Sequence, residues 1–184
     1  MAKRRLLKPA LLRNSGPQYG SFPTCQILNF PIYATTQSRS RLGETCAELK
    51  LDAPDGAKTA CHVDKTAFSM WVPEVEAALS GGGAREVAVL GIEAHICVTQ
   101  TTLDLLAHGH KVYVLADGVS SCNKEEVAIA LRRLGQEGAV VTTSESFLYE
   151  CMGDAGIAEF KGIAGLVKGA KETTTNTMQT LCKI

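Results

Sequence analysis

The chain is poor in aromatic residues, which fill 5% of its 184 positions, and it has no net charge at neutral pH, with 19 basic against 19 acidic side chains. A core with few rings has to be aliphatic, as in parallel-sheet proteins whose strands are covered on both faces. The balanced charge gives no basic footprint for nucleic acid, and 45% hydrophobic with 21% charged residues excludes a disordered chain. No apolar run approaches the roughly 20 residues that a membrane-spanning helix needs. No Cys-x-x-Cys pair occurs among the seven cysteines, at 25, 46, 61, 97, 122, 151 and 182. Scattered and odd in number, they argue against a disulfide framework and a structural zinc site, and for a reducing compartment. Acid is missing from the start: seven Lys or Arg precede Glu44, the first carboxylate. Such a stretch can be a mitochondrial transit peptide. Arg39 and Arg41 lie well inside the folded region, however, and the opening Met-Ala-Lys-Arg-Arg lacks the length of an amphipathic presequence. The cytoplasm is therefore the expected location, with the mitochondrion as the alternative.

What is present is an alternation of strands and helices, read as one domain. A strand begins at Lys8-Pro-Ala-Leu-Leu12 and stops there, because Arg13 to Pro23 carries two Gly and two Pro and reads as loop. Asn29 to Thr36 is the next strand. A loop from Gln37 to Asp55 holds at most a short helix near Glu44 to Leu49. A short edge strand at Lys58 to Val63 and a helix at Pro73 to Leu79 follow. The run Ser80-Gly-Gly-Gly83 follows a helix rather than a strand, so it is not a dinucleotide loop. Further strands are expected at Val87 to Leu90, Lys111 to Ala116 and Ala139 to Thr142. Helices are expected from Cys97 to His108, from Lys124 to Glu137, from Ser144, as cap, to Met152, and from Ala158 to Val167. Glu172 to Thr177 reads as a frayed polar tail. This order implies a three-layer α/β fold with a mostly parallel sheet.

Cys97 is the most informative residue. It follows a buried strand and opens a helix whose apolar stripe is Val98, Thr102, Leu105 and Leu106. A thiol at a helix N-terminus, at the carboxyl end of a strand, has the setting of an activated nucleophile. A buried structural cysteine fits the same position.

Three segments and a short helix then act together: Pro31-Ile-Tyr-Ala-Thr-Thr-Gln37, Asp64-Lys-Thr-Ala-Phe-Ser-Met70, Gly91-Ile-Glu-Ala-His-Ile-Cys97, and Thr102-Leu-Asp-Leu-Leu106. They resemble the isochorismatase-like cysteine hydrolases, nearest the branch of isochorismatase domain-containing protein 2, as does Thr142-Thr-Ser-Glu-Ser146. The resemblance covers residues 28–170. Residues 1–27 are then an atypical basic segment, a remnant of the first strand plus loop, and 171–184 a polar tail. The resemblance implies a Rossmann-like sheet in strand order 3-2-1-4-5-6, often in a homo-oligomer. It implies hydrolysis of C–N or vinyl-ether-type bonds in small molecules by an Asp–Lys–Cys triad. Cys97 matches the nucleophile and Lys65 the lysine. The oxyanion hole maps to the backbone amides of Glu93 and Cys97, beside a cis bond at Ile92–Glu93. Tyr33, Phe68 and His95 are possible pocket residues.

The departure is the triad carboxylate. The family's first strand runs into Asp-x-Gln, whereas here Arg13-Asn14-Ser15 stands in that place and no Asp precedes Asp52. By comparison with the family pattern, the helix that should follow also looks truncated or replaced, by a block on the order of 30 residues. A splice variant, a truncated isoform or a faulty gene model would explain it. An impaired hydrolase of an unknown small molecule is the expectation. The alternative is a non-catalytic oligomerising or interaction protein on the same fold. Asp117 is read as a cap or turn residue rather than the missing acid. Nicotinamidase-type relatives add an Asp/His metal site, but only His62 lies in the matching stretch, so neither a metal nor another cofactor is expected. Nor is a nucleic-acid or membrane partner.

Overall fold

The computed structural model describes residues 10–14, 23–49, 51, 58–79 and 83–181. Most of the basic N-terminal segment, residues 50 and 52–57, and residues 80–82 and 182–184 lie outside the described residues. The strands are β1 (Ala10–Asn14), β2 (Ile32–Gln37), β3 (Thr59–Lys65), β4 (Glu86–Ile92), β5 (Lys111–Ser120) and β6 (Val140–Thr142). They form one parallel sheet in the order β3-β2-β1-β4-β5-β6. The helices are α1 (Pro23–Ile27), α2 (Arg39–Leu42), α3 (Pro73–Leu79), α4 (Thr99–Ala107), α5 (Lys124–Gln136), α6 (Ser144–Met152) and α7 (Phe160–Leu181). The expected three-layer α/β architecture and the strand order 3-2-1-4-5-6 are both present.

Period-two alternation sorts the aliphatic residues into two cores. Tyr33, Val87, Val89, Val112 and Val114 join Val75 and Leu79 of α3, Leu105 of α4 and Leu131 and Leu134 of α5. Ile32, Ala34, Ala88, Leu90, Tyr113 and Leu115 join Cys25 of α1 with Phe147 and Cys151 of α6. Because both faces are covered, Val87 to Leu90 needs no polar alternation and reads as one apolar run. Two buried groups break the pattern, the hydroxyls of Thr35 and Thr102. Thr102, in α4, is fully buried, and its hydroxyl has no hydrogen-bond partner among the described residues. Thr102→Val keeps the shape and removes that group. It is expected to raise the unfolding free energy by about 1 kcal/mol in urea titrations; a loss of stability would mean that the hydroxyl is paired.

Local expectations change at several points. First, β1 does not stop at Leu12. Arg13 pairs with Ala34 and Leu90, and Asn14 with Thr35. Two flanking strands supply a ladder that overrides weak local β propensity. Second, the predicted loop up to Pro23 ends in α1, which Pro23 opens and whose Cys25 is buried. Gly162 of α7 lies against it: a Cβ there would stand 3.0 Å from Ile27 Cδ1. Third, the predicted loop after Gln37 contains α2, and only a single 3-10 turn, Ala47–Leu49, represents the helix expected near Glu44. Asp64 of β3 holds the start of α2, accepting from Arg39 N and Thr36 Oγ1 at 2.9 Å each. Those hydrogen bonds and the adjacent Arg39 charge keep the Asp64 carboxyl below the usual range.

Fourth, the frayed tail is helical: α7 continues to Leu181. Ile163 anchors it in the interior, and Thr175 Oγ1 donates back to Lys171 O at 2.9 Å, so the threonine run is tolerated within the helix. At the other end of the sheet, β5 runs past Ala116 to Ser120. It carries extra residues where Val114 pairs with Val89 but Val119 pairs with Gly91. Asp117 lies in that irregular stretch, buried, and accepts from Ser144 N at 2.7 Å and Ser144 Oγ at 2.5 Å. It fastens β5 to the first turn of α6, the capping role expected of it. The N-cap of α6 is Thr143 rather than Ser144, since its hydroxyl accepts from Ser146 N at 3.2 Å.

Candidate active site

The strand order reverses at β1, which has β2 on one side and β4 on the other. In open parallel sheets ligands bind at the carboxyl ends of the strands around such a point. The carboxyl end of β3 delivers Lys65 and that of β4 delivers Ile92–Glu93, joined by a cis peptide bond. The chain then makes a π-helical turn, Ala94–Val98, which runs into α4 and carries Cys97.

Lys65 is 5% exposed. Its ammonium donates to Gln37 Oε1 at 2.6 Å, Ala67 O at 2.9 Å and Phe68 O at 3.0 Å. Three donors meet three acceptors, which is the full capacity of an ammonium. Gln37 is the register partner of Lys65 and is itself tied to Thr66 O at 2.8 Å. Burial pushes the Lys65 pKa down; negative charge on Cys97, and then on Asp64, opposes that shift.

Cys97 is 6% exposed. Its carbonyl accepts from Thr101 Oγ1 at 2.6 Å, and the same hydroxyl accepts from Met70 N at 2.9 Å. Thr101 thus ties the Lys65 loop to the cysteine turn. The start of the turn is also anchored: Glu93 O accepts from Ile96 N and Val98 N at 3.2 Å each, and Ala94 N donates to Ser121 Oγ at 3.0 Å. Two elements distant in sequence therefore bring an ammonium and a thiol close enough for the charge of one to bear on the other, in a largely buried setting. Such a pair can supply a thiolate nucleophile with a cation to balance it.

The structure brings Lys65, Cys97, Glu93 and His95 together around this turn. The Glu93 carboxylate is turned toward the exit of β5, where it accepts from Cys122 N at 3.0 Å. His95 Nδ1 lies 3.0 Å from Ser121 Oγ. Phe68 is 52% exposed on the Lys65 loop, so its ring is available at the rim. Tyr33 is not brought to the site. It sits near the amino end of β2, is 4% exposed, and its hydroxyl donates to Ala78 O at 3.4 Å, which makes it a core residue under α3. The rings of His108 and His110 lie tilted against Trp71, with centroids 4.5 and 5.4 Å away, at the far end of α4. His62 meets Thr45 Oγ1 at 3.1 Å. Thr101 and Ser121 have no signal of their own in the sequence. Gln37 alone was findable, as a polar residue ending a buried strand.

Among the described residues no helix is long and apolar enough to cross a membrane, and six cysteines are free. The isochorismatase domain matches residues 23–146, beginning after β1. The chain is 43% identical over 145 residues to a secreted isochorismatase effector, Isc1, of Phytophthora sojae, covering 78% of this chain and 69% of that protein. It is 40% identical over 144 residues to isochorismatase domain-containing protein 1 of Danio rerio, and 39% identical over 144 residues to isochorismatase domain-containing protein 2 of Macaca fascicularis. Each match covers 78% of this chain, with 49% and 67% of the respective relative, so the chain spans about half the length of the Danio rerio protein. Among solved structures, the MAR1 ribonuclease of Caenorhabditis elegans superposes with a TM-score of 0.75 at 31% identity, covering 87% of this chain and 90% of that one. The YcaC protein of Escherichia coli, described as an octameric hydrolase of unknown specificity, shares the fold, with a TM-score of 0.75 at 20% identity and 97% of each chain covered. The chain belongs to the isochorismatase domain family.

Proposed function

We propose that the chain is a cysteine hydrolase of this family, acting on a small molecule with a C–N or vinyl-ether-type bond and impaired by the lack of a carboxylate at the end of β1. The observation that carries this is the buried Lys65 ammonium, held by three acceptors at a strand end and electrostatically coupled to Cys97. In an amide, the Cys97 thiolate would attack the carbonyl carbon, forming a C–S bond. The backbone amides of Glu93 and Cys97 would receive the oxyanion, and Lys65 would balance the charge. The C–N bond then breaks, and the leaving amine takes a proton. Water cleaves the thioester and regenerates the thiol. In a complete triad an acid at the end of β1 would carry that proton. Here water has to, and the loss of a general acid–base typically costs about 10²–10⁴-fold. A homo-oligomer agrees with the exposed Leu42 and Phe68, and the free cysteines agree with a reducing compartment such as the cytoplasm.

A second reading, a non-catalytic oligomerising or interaction protein on the same fold, is favoured by the absence of any Asp before Asp52. Alkylation separates the two. On the hydrolase reading, iodoacetamide modifies the buried Cys97 faster than the exposed Cys122 at neutral pH, and a panel of small amides shows slow turnover that Cys97→Ser abolishes. A Cys97 slower than Cys122, or turnover unchanged in Cys97→Ser, overturns it. RNA belongs in the same panel, because one solved relative carries the name ribonuclease; cleavage of RNA that depends on Cys97 would reassign the substrate.

A further inference from the structure

One cluster beside the cysteine turn joins three metal-ligand chemistries. Ligand atoms of Glu93, His95 and Cys122 all lie within 4.8 Å of one another. Glu93 and His95 belong to the turn that carries Cys97, and Cys122 to the loop after β5. The two pieces are clamped together before any cation arrives. Cys122 N donates to Glu93 Oε2 at 3.0 Å, and Ala94 N donates to Ser121 Oγ at 3.0 Å. Since Ser121 Oγ already accepts, its own proton is free to face His95 Nδ1, 3.0 Å away. A cation would take the Nδ1 lone pair in place of that proton, with the Ser121 hydroxyl turning away, since neutral imidazole is the form that binds metals.

The spacing fits a small tetrahedral cation. Nitrogen and oxygen ligands bound at about 2.0–2.2 Å in tetrahedral geometry stand about 3.3–3.6 Å apart. Glu93 Oε2 and His95 Nδ1 are 3.6 Å apart. The thiol is the ligand that has to shift, by about 1 Å, and Cys122 is an exposed residue for which a rotamer change is inexpensive.

We propose that Glu93, His95 and Cys122 form a binding site for a borderline-soft divalent cation of the zinc class, with water as the fourth ligand. The set of one thiolate, one imidazole and one carboxylate matches zinc preference and leaves an open position. Binding releases the Cys122 thiol proton to solvent and involves no redox change. The cation would bridge the turn to the exit of β5, two residues from Cys97, and so hold the nucleophile's backbone in place. The cluster lies outside the stretch between Thr36 and Asp64 that corresponds to the nicotinamidase-type metal site.

Cobalt titration of the full chain tests the site without any substrate, so the outcome is independent of the hydrolase reading. With metal-free, reduced protein, Co²⁺ is expected to give a sulfur-to-cobalt charge-transfer band together with the visible bands of tetrahedral cobalt, both displaced by Zn²⁺. Cys122→Ser is expected to abolish the charge-transfer band, and His95→Gln to weaken binding by about tenfold or more. Cys97→Ser is expected to retain the band. A band that survives Cys122→Ser, a band lost in Cys97→Ser, or no cobalt uptake at about 1 mM overturns the proposal.

Discussion

Lys65→Met is expected to slow alkylation of Cys97 by about 10- to 100-fold at pH 7 and to lower the unfolding free energy by about 2–4 kcal/mol. The first effect is electrostatic. An opposite charge within a few ångströms typically shifts a partner's ionisation by 1–3 units, and each unit is tenfold in thiolate population. Cys97 is the largest influence opposing the downward shift of the Lys65 pKa, so the coupling is in place to be lost. The second effect is structural. Methionine preserves the apolar stem but leaves Gln37 Oε1, Ala67 O and Phe68 O without their donor. The loop carbonyls can partly turn to water, which keeps the loss below that of three orphaned buried acceptors. Thr101→Val separates the two effects. It cuts the tie between Met70 N and Cys97 O while leaving the ammonium in place, so its alkylation rate is expected to stay within a few-fold of wild type. Equal slowing in both variants would mean that Lys65 acts by position rather than by charge.

Stability is expected to fall steeply above pH 9, by about 2–3 kcal/mol per pH unit. Burial pushes the Cys25 and Cys151 thiols up from 9.0 to about 12. A group whose folded pKa lies above its unfolded value stabilises the fold fully below the unfolded pKa, and that stabilisation is lost as pH rises toward the folded one. Between pH 9 and 12 the unfolded chain has released both protons while the folded chain keeps them. Each costs about 1.4 kcal/mol per pH unit. Tyr113 adds to the loss above pH 10, because burial also pushes its hydroxyl up to about 12. Lys65 works the other way, since its depressed pKa makes the folded state gain as pH rises toward the ordinary lysine range. One such group offsets part of the loss but not two thiols. With a typical stability of 5–15 kcal/mol, alkaline unfolding is expected near pH 11 to 12. Urea titrations at pH 8, 9.5 and 10.5 measure the slope, and Cys25→Ala with Cys151→Ala should flatten it. A level profile from pH 9 to 11 would remove both thiols from the account.

The parts of this fold that were legible in the sequence are those in which local pattern and tertiary role agree. Val87 to Leu90 is apolar because β4 is covered on both faces, and the Cys97 helix shows its stripe because α4 lies on an apolar core. Lys65 was found through its motif, since a lone lysine gives no sign that it is buried. What escaped depends on register between strands far apart in the chain. Gln37 reaches Lys65 only because β2 and β3 are paired at those two positions. Asp64 starts α2 from a neighbouring strand, so α2 shows no capping signal of its own. Tyr33 has the chemistry of a pocket residue but sits near the amino end of its strand, away from the site. Asn14 read as loop because its propensity for strand is poor; the ladders on either side of β1 decided otherwise.

The place of β1 also governs when the sheet can close. Among the described strands it is synthesised first, yet it stands between β2 and β4. At a typical 5–20 residues per second, the roughly 80 residues from Asn14 to the end of β4 take about 4–16 s to emerge. For that interval β1 has at most one of its two neighbours, and its other edge stays open. A nascent chain of this kind is a natural client for a ribosome-associated holdase, and slowing translation between β1 and β4 would lengthen its exposure.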